Sequence, residues 1–399
     1  MRGMKRKLLF VDGEAGALRE LHDALAALSS TWELLYCKSG LVAMNALQAQ
    51  PCDAVVTELR LADMSGDQLL EQIAREHPQT HRIVLADLGD LQALLHCVGN
   101  VNQFLILPCE VDRLQIVLER AITFELWLPN QIVRELLGRL PQLPSPEEHY
   151  GRVVKELQSP QAELATIGDL VAQDPAMTAR VLQLANSAAY GLPTEDADPR
   201  AAVRELGLAN VRSLLLLSHT YSNFSKAAGA GFSVAELWRH SQAAAQLAAR
   251  FARDAGADAE TITQSATAGL LHDLGKLALA VNLPDHWRRV CELVKATSQP
   301  YWQAERQVFG ATHSEVAGWL LGVWGLPVSI VEAVALHHHP ARFLNRGFCP
   351  LAAVHVADAF LHADALDAAQ GRLDADYLRA IGVWEKLPHW WKLARGIQK

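Results

Sequence analysis

The sequence predicts two domains of different fold class, an N-terminal α/β domain followed by an all-α domain. Three observations lead to this prediction: the chain has 399 residues, short apolar runs alternate with amphipathic segments in its first third, and helical periodicity dominates afterwards. A chain of this length exceeds what one ordinary hydrophobic core supports. The predicted boundaries are an α/β domain at 1–122, a helical connector at 123–145 and an all-helical domain at 146–399.

Five apolar runs in the N-terminal domain are predicted to be β-strands. The segments between them, such as 15–28 and 40–48, have apolar residues at the three- and four-residue spacing that is typical of helices. This alternation is typical of βα units, which build a parallel sheet with helices on both faces. The predicted strands are 7–11, 33–37, 54–57, 82–86 and 103–106.

Composition indicates a globular protein. Half of the residues are hydrophobic and the formal net charge is -8, so no chain-wide basic surface exists and nucleic acid is not expected as a partner. The six cysteines have no C-x-x-C spacing, which suits buried thiols in a reducing compartment. The apolar run at 8–11 is too short for a signal peptide or a membrane span. We therefore expect a cytoplasmic protein without a transmembrane segment.

Four segments of the N-terminal domain, at 8–14, 53–66, 82–87 and 104–108, carry motifs in the same order as those of a known domain family. Over about residues 5–125 the chain resembles the receiver domain of two-component response regulators. The resemblance implies a flavodoxin-like (βα)5 fold. A working receiver uses an acidic pair for Mg²⁺, an aspartate that accepts phosphoryl, a Ser or Thr, and a Lys, because a hard cation and a phosphoryl group both need charge compensation.

Every position that this resemblance assigns to phosphotransfer departs from the pattern. The acidic pair is Asp12-Gly13, and the phosphoacceptor, hydroxyl and lysine positions hold Glu58, Ala86 and Leu107. We therefore expect neither Mg²⁺ binding nor phosphorylation in this domain. Two interpretations remain open. Either Glu58 mimics the phosphorylated state, or the site has decayed into a dimerisation or scaffolding module.

The C-terminal domain contains residues of metal-ligand type at spacings that suit a helical site. His272 and Asp273 are adjacent, and both groups bind Fe, Mn or Zn. Glu236 and His240 are four residues apart, so both project from one face of a helix. Further along, paired histidines end the apolar run at 328–336, as suits a helix end that faces a cavity.

The order of these residues resembles the metal site of HD-domain phosphohydrolases. Over about residues 130–370 the fuller similarity is to the HDOD family, HD-related output domains with the helical bundle of the HD superfamily. Its members are generally regarded as non-enzymatic signalling modules that have lost HD residues, whereas this chain keeps nearly the whole set. The Gly-Tyr-Pro element of HD-GYP relatives, which cleave cyclic di-GMP, is missing at 340–347. The matching segments are 174–187, 238–241, 269–277, 312–318, 324–327 and 337–340.

The resemblance implies a centre for a divalent metal, Fe, Mn or Zn. If the site hydrolyses a phosphoester, the resemblance implies that Asp273 and Lys276 are its catalytic residues, and that Lys276 meets either a substrate phosphate or a metal-bound hydroxide. The alternative is a hydrogen-bonded polar core that holds no metal. The predicted metal ligands are Glu236, His240, His272, Asp273, His313, His337, His338 and Asp358.

Three functions compete. The favoured one is an intracellular signal-transduction protein, in which a phosphorylation-incompetent receiver is coupled to an HDOD domain that binds regulatory protein partners or a cyclic dinucleotide. The second is a metal-dependent phosphodiesterase or phosphohydrolase of HD-GYP type, with cyclic di-GMP as its candidate substrate. The third is a scaffold in which both sites are vestigial. A homodimer is compatible with all three.

Overall fold

The computed structural model describes residues 5–13, 32–86, 97, 99–106, 114–120, 131–138, 143–159, 161–186, 197–217, 231–342 and 347–397. Within these ranges the N-terminal part contains a five-stranded sheet with helices, and the elements from residue 131 onward are helices. The predicted fold class, α/β followed by all-α, is confirmed.

The sheet is parallel throughout, with the strand order β2-β1-β3-β4-β5. Leu8 and Phe10 pack into one hydrophobic cluster, whereas Leu9 and Val11 pack into another, as the two-residue period of a strand covered on both faces requires. Each strand overlaps its predicted range. The strands are β1 (Arg6–Val11), β2 (Trp32–Cys37), β3 (Ala54–Glu58), β4 (His81–Ala86) and β5 (Gln103–Ile106).

Two described helices follow strands of the sheet domain, and residues 114–120 are also helical, with Leu114 and Leu118 in the same hydrophobic cluster as Leu8 and Phe10. Helix α1 (Gly40–Ala49) confirms the helix predicted at 40–48, and α2 is Gly66–Glu76. Helix α2 begins with a capping box, in which Ser65 Oγ accepts from the Gln68 N–H and Gln68 Oε1 accepts from the Ser65 N–H. The helix predicted at 15–28 lies outside the described residues.

The helical part begins with a short helix in the predicted connector and continues as a bundle. Two 3₁₀ turns, Pro340–Arg342 and Trp384–Lys386, lie between its later helices. The helices are α3 (Gln131–Gly138), α4 (Glu147–Gln158), α5 (Leu164–Val171), α6 (Pro175–Ala185), α7 (Pro199–Leu217), α8 (Val234–Asp254), α9 (Ala259–Leu271), α10 (Leu274–Asn282), α11 (Pro284–Thr297), α12 (Tyr301–Phe309), α13 (His313–Val323), α14 (Val328–Leu336), α15 (Pro350–Leu361), α16 (Leu366–Gln370), α17 (Ala375–Ala380) and α18 (Leu387–Ile397).

The amino ends of β4 and β5 dock against the helical bundle. The Gln103 side chain at the start of β5 donates to the Val323 carbonyl at the end of α13, at 2.8 Å. A second hydrogen bond runs in the opposite direction, from the Gln183 side chain of α6 to the Val101 carbonyl, at 3.2 Å. Because the strands are parallel, this edge is opposite the one where Glu58 ends β3. The bundle therefore contacts the sheet at the edge away from the degenerate receiver site.

Arg82 fastens this edge of the sheet to the connector helix. Its buried guanidinium donates to the carbonyls of Asn100 at 2.7 Å and Thr80 at 3.0 Å, and to the carbonyl of Gly138 at the end of α3. A Cβ on Gly138 would overlap the Pro78 carbonyl oxygen, so the close approach of α3 requires glycine there. One buried cation thus satisfies carbonyls from both segments.

The described cysteines are free thiols. Cys37, Cys52, Cys97 and Cys291 are buried, as predicted, whereas Cys349 is half-buried and Cys109 lies outside the described residues. Burial raises the pKa of Cys52 to about 11, which keeps that thiol protonated. Among the described helices, none combines the length and the hydropathy that crossing a membrane requires.

Candidate metal centre

His240 on α8 meets the His272-Asp273 pair where α9 ends and α10 begins. Helices α8 and α9 approach closely, since a Cβ built on Gly269 would lie 2.8 Å from the Ala244 carbonyl oxygen. As a result, His240 Nε2 lies 3.2 Å from His272 Nε2 and 3.6 Å from Asp273 Oδ2. Packing of the two helices, rather than proximity in sequence, creates this cluster.

Asp358 on α15 completes the first ligand group. Its Oδ1 lies 3.2 Å from His240 Nε2 and 3.5 Å from His272 Nε2. The His272 Nδ1–H donates to the Gly269 carbonyl at 2.8 Å, so its Nε2 carries the lone pair and faces the group. The first ligand group is His240, His272, Asp273 and Asp358.

His313 begins α13 and starts a second group on the other side of Asp273. Thr312 and Glu315 form a capping box that fixes this helix start. A Cβ on Gly275 would overlap the His313 carbonyl oxygen, so the glycine lets α10 and α13 meet. Asp273 Oδ1 lies 3.2 Å from His313 Nε2, whereas Oδ2 faces the first group. The Asp273 carboxylate therefore lies between both groups.

The paired histidines at the carboxyl end of α14 complete the second ligand group, Asp273, His313, His337 and His338. His338 Nε2 lies 3.1 Å from His313 Nε2. The His337 Nδ1–H donates to the Val334 carbonyl at 2.8 Å, which leaves Nε2 as an acceptor. That Nε2 atom is buried and has no hydrogen-bond partner among the described residues. Such a buried acceptor requires an explanation, and a bound cation supplies one.

A carboxylate that the sequence analysis did not single out supports the second group. Glu305 of α12 is fully buried, and its Oε2 accepts from both the backbone N–H of His313 at 2.7 Å and the His313 Nδ1–H at 2.6 Å. Burial lowers the pKa of His313, but Glu305 outweighs it and the pKa rises to about 9. A histidine that binds metal commonly donates its other N–H to a carboxylate in this way.

The charges of the centre favour the protonation states that bind metal. Burial raises the pKa of Asp273, but Lys276, whose Nζ lies 2.7 Å from Asp273 Oδ2, and His272 hold the pKa of that carboxyl well below its usual range. Burial holds the pKa of His337 and of His338 well below the ordinary value. Near neutral pH the Asp273 carboxylate is therefore charged and His337 and His338 are neutral, as metal ligands must be, whereas His313 carries a proton that a bound metal would displace.

The spacing of the nitrogen atoms fits metal coordination. Bonds of 2.0–2.1 Å to one metal separate two nitrogen ligands by about 2.9 Å at a right angle and about 3.3 Å at the tetrahedral angle. The 3.1 Å between His313 and His338 Nε2 and the 3.2 Å between His240 and His272 Nε2 fall in this interval. Imidazole with carboxylate suits Fe, Mn or Zn. The residues therefore fit a divalent metal.

The two groups share a buried interior, and each has a partly exposed member. His272, Asp273, His313 and His337 are at most 1% exposed. By contrast, 19% of the His240 side chain and 13% of the Asp358 side chain are exposed, and His338 is half-buried. Both groups therefore have a side near solvent.

Two residues near the first group differ from expectation. Glu236, a predicted ligand, is exposed in the first turn of α8 and belongs to none of the described groups that could hold a metal. Glu236 lies one turn before His240, at the exposed start of α8, so its position does not support its predicted role. His362, which the sequence analysis did not single out, instead lies with its Nδ1 3.1 Å from Asp358 Oδ1. Its place one turn after Asp358 was the signal that could have identified it.

The degenerate receiver positions lie at the carboxyl ends of their strands, where such sheets hold functional groups. Asp12 follows β1 and is buried, Glu58 ends β3, and Ala86 ends β4. Leu107 lies outside the described residues. Neither Gly13 nor Ala86 offers a side-chain oxygen.

Two family profiles match the chain. One describes the response regulator receiver domain and matches residues 8–119, and the other describes the HDOD domain and matches residues 143–340.

Individual relatives match parts of the chain. An uncharacterized protein of Treponema pallidum is 26% identical over 212 residues, which are 52% of this chain and 39% of that protein. The luminescence regulatory protein LuxO of Vibrio campbellii is 31% identical over 94 residues, 23% of this chain and 21% of LuxO. The chain thus spans less than half the length of either relative.

Two solved structures resemble part of the chain. The MmoQ response regulator of Methylococcus capsulatus is 29% identical, with a TM-score of 0.47, over 61% of this chain and 99% of that one. A virulence factor of Campylobacter jejuni is 18% identical, with a TM-score of 0.50, over 66% of this chain and 97% of that one. At that identity, the second likeness shows the fold alone.

Proposed function

Because residues 8–119 form a response regulator receiver domain and residues 143–340 form an HDOD domain, we propose a specific kind of signal-transduction regulator. In this proposal the receiver is not phosphorylated. The HDOD domain holds a divalent metal centre and acts as a regulatory module that binds protein partners. The proposed compartment is the cytoplasm, as the cysteine pattern predicts.

One observation supports the metal centre above all others. Asp273 lies between two groups of imidazoles, with Oδ1 3.2 Å from His313 Nε2 and Oδ2 3.6 Å from His272 Nε2. Imidazole lone pairs that face each other repel unless a proton or a cation lies between them. A metal ion in each group, with the carboxylate shared, would neutralise the buried negative charge and supply Lewis acidity.

Burial favours a regulatory role over a catalytic one. Structural metal sites are closed by protein ligands, whereas catalytic sites keep a position open. His313 and His337 are almost wholly buried and His338 is half-buried, so protein surrounds most of the second group. The proposed role of the metal is to hold α10, α13 and α14 together in the form that partners bind.

Loss of phosphotransfer can be tested directly on the receiver. Incubation with acetyl phosphate and Mg²⁺ should leave the mass of the intact protein unchanged. The Glu58→Asp variant, which restores the usual acceptor, should also stay unmodified because Gly13 and Ala86 supply neither a metal ligand nor a hydroxyl. An acyl phosphate on the wild-type receiver would overturn the proposal.

Hydrolysis is the second candidate function. Lys276 Nζ lies 2.7 Å from Asp273, and the His240 and Asp358 side chains beside them are partly exposed. A phosphoester could therefore reach the first ligand group from solvent.

Neither a cyclic dinucleotide nor a homodimer is supported by the comparisons.

The two functions are separated by turnover. Metal-loaded wild type, Asp273→Ala and the exposed-surface control Arg288→Gln are assayed with cyclic di-GMP and with bis(p-nitrophenyl) phosphate. The regulatory proposal predicts that none of the three releases product above background. Turnover by wild type and by Arg288→Gln, lost in Asp273→Ala, would replace it with the hydrolase.

A further inference from the structure

A groove of about 750 Å³ lies between α8 and α9 on one side and the α5–α6 junction and the start of α7 on the other. Along α8, Gln242, Gln246, Ala249 and Arg253 line it at three- and four-residue spacing, so they form one face of that helix. His240 is only two residues from Gln242, about 200° around the helix, and so belongs to a different face. The groove is therefore distinct from the metal centre.

The groove is basic in a chain that is acidic overall. Arg200, Arg250 and Arg253 line it, and Asp198 is the one acidic lining residue in the part of the chain that the structure describes, although the chain has a formal net charge of -8. Such local concentration of positive charge in a concave surface attracts anions.

The arginines retain donors for a ligand. Arg250 and Arg253 form no salt bridge with any residue in the described ranges. Arg200 uses Nε to donate to Asp169 Oδ1 at 2.6 Å, which leaves its terminal N–H groups. The three guanidiniums are therefore available to an anion that enters the groove.

The frame of the groove is held by buried and half-buried hydrogen bonds across its walls. Gln242 of α8 donates to the Gln173 carbonyl at 3.2 Å, and the Thr267 hydroxyl of α9 donates to the Ala197 carbonyl at 2.7 Å. Between these two hydrogen bonds, small side chains leave the groove open. They are Ala172, Ala245, Ala249 and Ala266.

We infer that this groove binds a phosphorylated small molecule through its phosphate groups. Guanidinium groups match phosphate oxygens with paired hydrogen bonds, and the amide of Gln246 adds neutral donors. The volume lies within the 300–1,000 Å³ range of small-molecule sites. Among the described residues no aromatic ring lines the groove, so the recognition that we propose is of the phosphate rather than of a stacked base.

A bound phosphate would contact the helices that carry the first ligand group. Leu270 lines the groove two residues before His272, on α9. Binding would therefore hold α8 and α9 together at a second place, in addition to the first ligand group. The inference does not depend on the metal centre, because none of the lining residues belongs to it.

Calorimetric titration of the full chain with sodium pyrophosphate, and separately with ADP, tests the inference. The double variant Arg250→Gln/Arg253→Gln should weaken pyrophosphate binding about a hundredfold or more, since each of the two lost charge-assisted contacts is worth about tenfold. Ala245→Leu, which fills the groove without a change of charge, should also weaken it. The control Arg288→Gln/Arg289→Gln removes the same charge from exposed positions on α11 and should bind as wild type does.

Asp273→Ala separates the groove from the metal centre and should keep wild-type affinity. Absence of pyrophosphate and ADP binding to wild type would overturn the inference. So would an equal loss in the α11 control, which would indicate nonspecific attraction, or a loss in Asp273→Ala with none in the groove variants. Thermal melts of all variants establish that each is folded.

Discussion

The Glu305 carboxylate accepts hydrogen bonds from both the backbone N–H and the Nδ1–H of His313, at 2.7 and 2.6 Å. This double contact fixes the orientation and the tautomer of His313, so that Nε2 faces Asp273 and His338. By contrast, His272 and His337 direct Nδ1 to backbone carbonyls. His313 is thus the imidazole whose donor strength depends on a side chain.

Replacing Glu305 with Gln should lower the affinity for metal by about 10- to 100-fold, because the variant loses the charge that strengthens His313 as a ligand. The affinity is measured by competition with a chromogenic chelator. Glu332→Gln, at a half-buried position on α14, is the matched control and should retain wild-type affinity. Equal affinities for Glu305→Gln and wild type would show that Glu305 does not act on the metal.

Replacing Gly275 with Ala should separate α10 from α13, because the added Cβ would overlap the His313 carbonyl oxygen. The expected loss is roughly 1–3 kcal/mol of the free energy of unfolding, together with weaker metal binding. Urea unfolding measures the first effect. Gly371→Ala, where the added Cβ has ordinary contacts, should change neither quantity. A Gly275→Ala protein as stable as wild type would contradict the packing described here.

Replacing Arg82 with Met should weaken the attachment of the sheet to the connector. The carbonyls of Thr80, Asn100 and Gly138 would lose their donor in a buried place, at a cost of roughly 3–5 kcal/mol. Urea unfolding followed by circular dichroism should show an earlier transition for the sheet domain. Arg75→Met, at an exposed position on α2, is the control and should unfold like wild type.

Acidification should destabilise the sheet domain through His81. Burial, together with the charge of Arg82, lowers the pKa of His81 from 6.5 to about 4. Between pH 6.5 and about pH 4, His81 is therefore protonated in the unfolded chain but neutral in the folded chain. Its contribution to the free energy of unfolding is complete above pH 6.5 and is lost as the pH falls through this window. The maximal loss is roughly 3 kcal/mol.

The His81→Gln variant removes this titration. Its free energy of unfolding should depend less on pH between 6.5 and 4 than that of wild type, measured by urea unfolding at several pH values. Parallel pH curves for the two proteins would indicate that His81 is not held neutral by burial.

Local pattern was sufficient to predict the sheet. The 83–86 run of β4 and the 104–105 run of β5 are apolar and buried, so their composition and their position agree. The seven predicted ligands from His240 to Asp358 come together for a related reason, since each lies at a helix end or on a helix face that the sequence pattern identifies.

Tertiary packing determined what the sequence could not predict. Glu305 and His313 lie on different helices, so no spacing within one helix links them. The two meet because α12 folds back on α13. Glu236 has the right helical spacing but lies in an exposed first turn. The docking of Gln103 on Val323 joins residues 220 positions apart, and no local pattern signals such a contact.

Metal content of the full chain tests the central claim most directly. Protein purified without chelators is analysed by inductively coupled plasma mass spectrometry, with Asp273→Ala and Arg288→Gln in parallel. The account predicts at least one Fe, Mn or Zn ion per chain in wild type and in Arg288→Gln, and a clear loss in Asp273→Ala, because that carboxylate faces both ligand groups. Wild-type protein with no transition metal above background, or Asp273→Ala with undiminished metal, would contradict it.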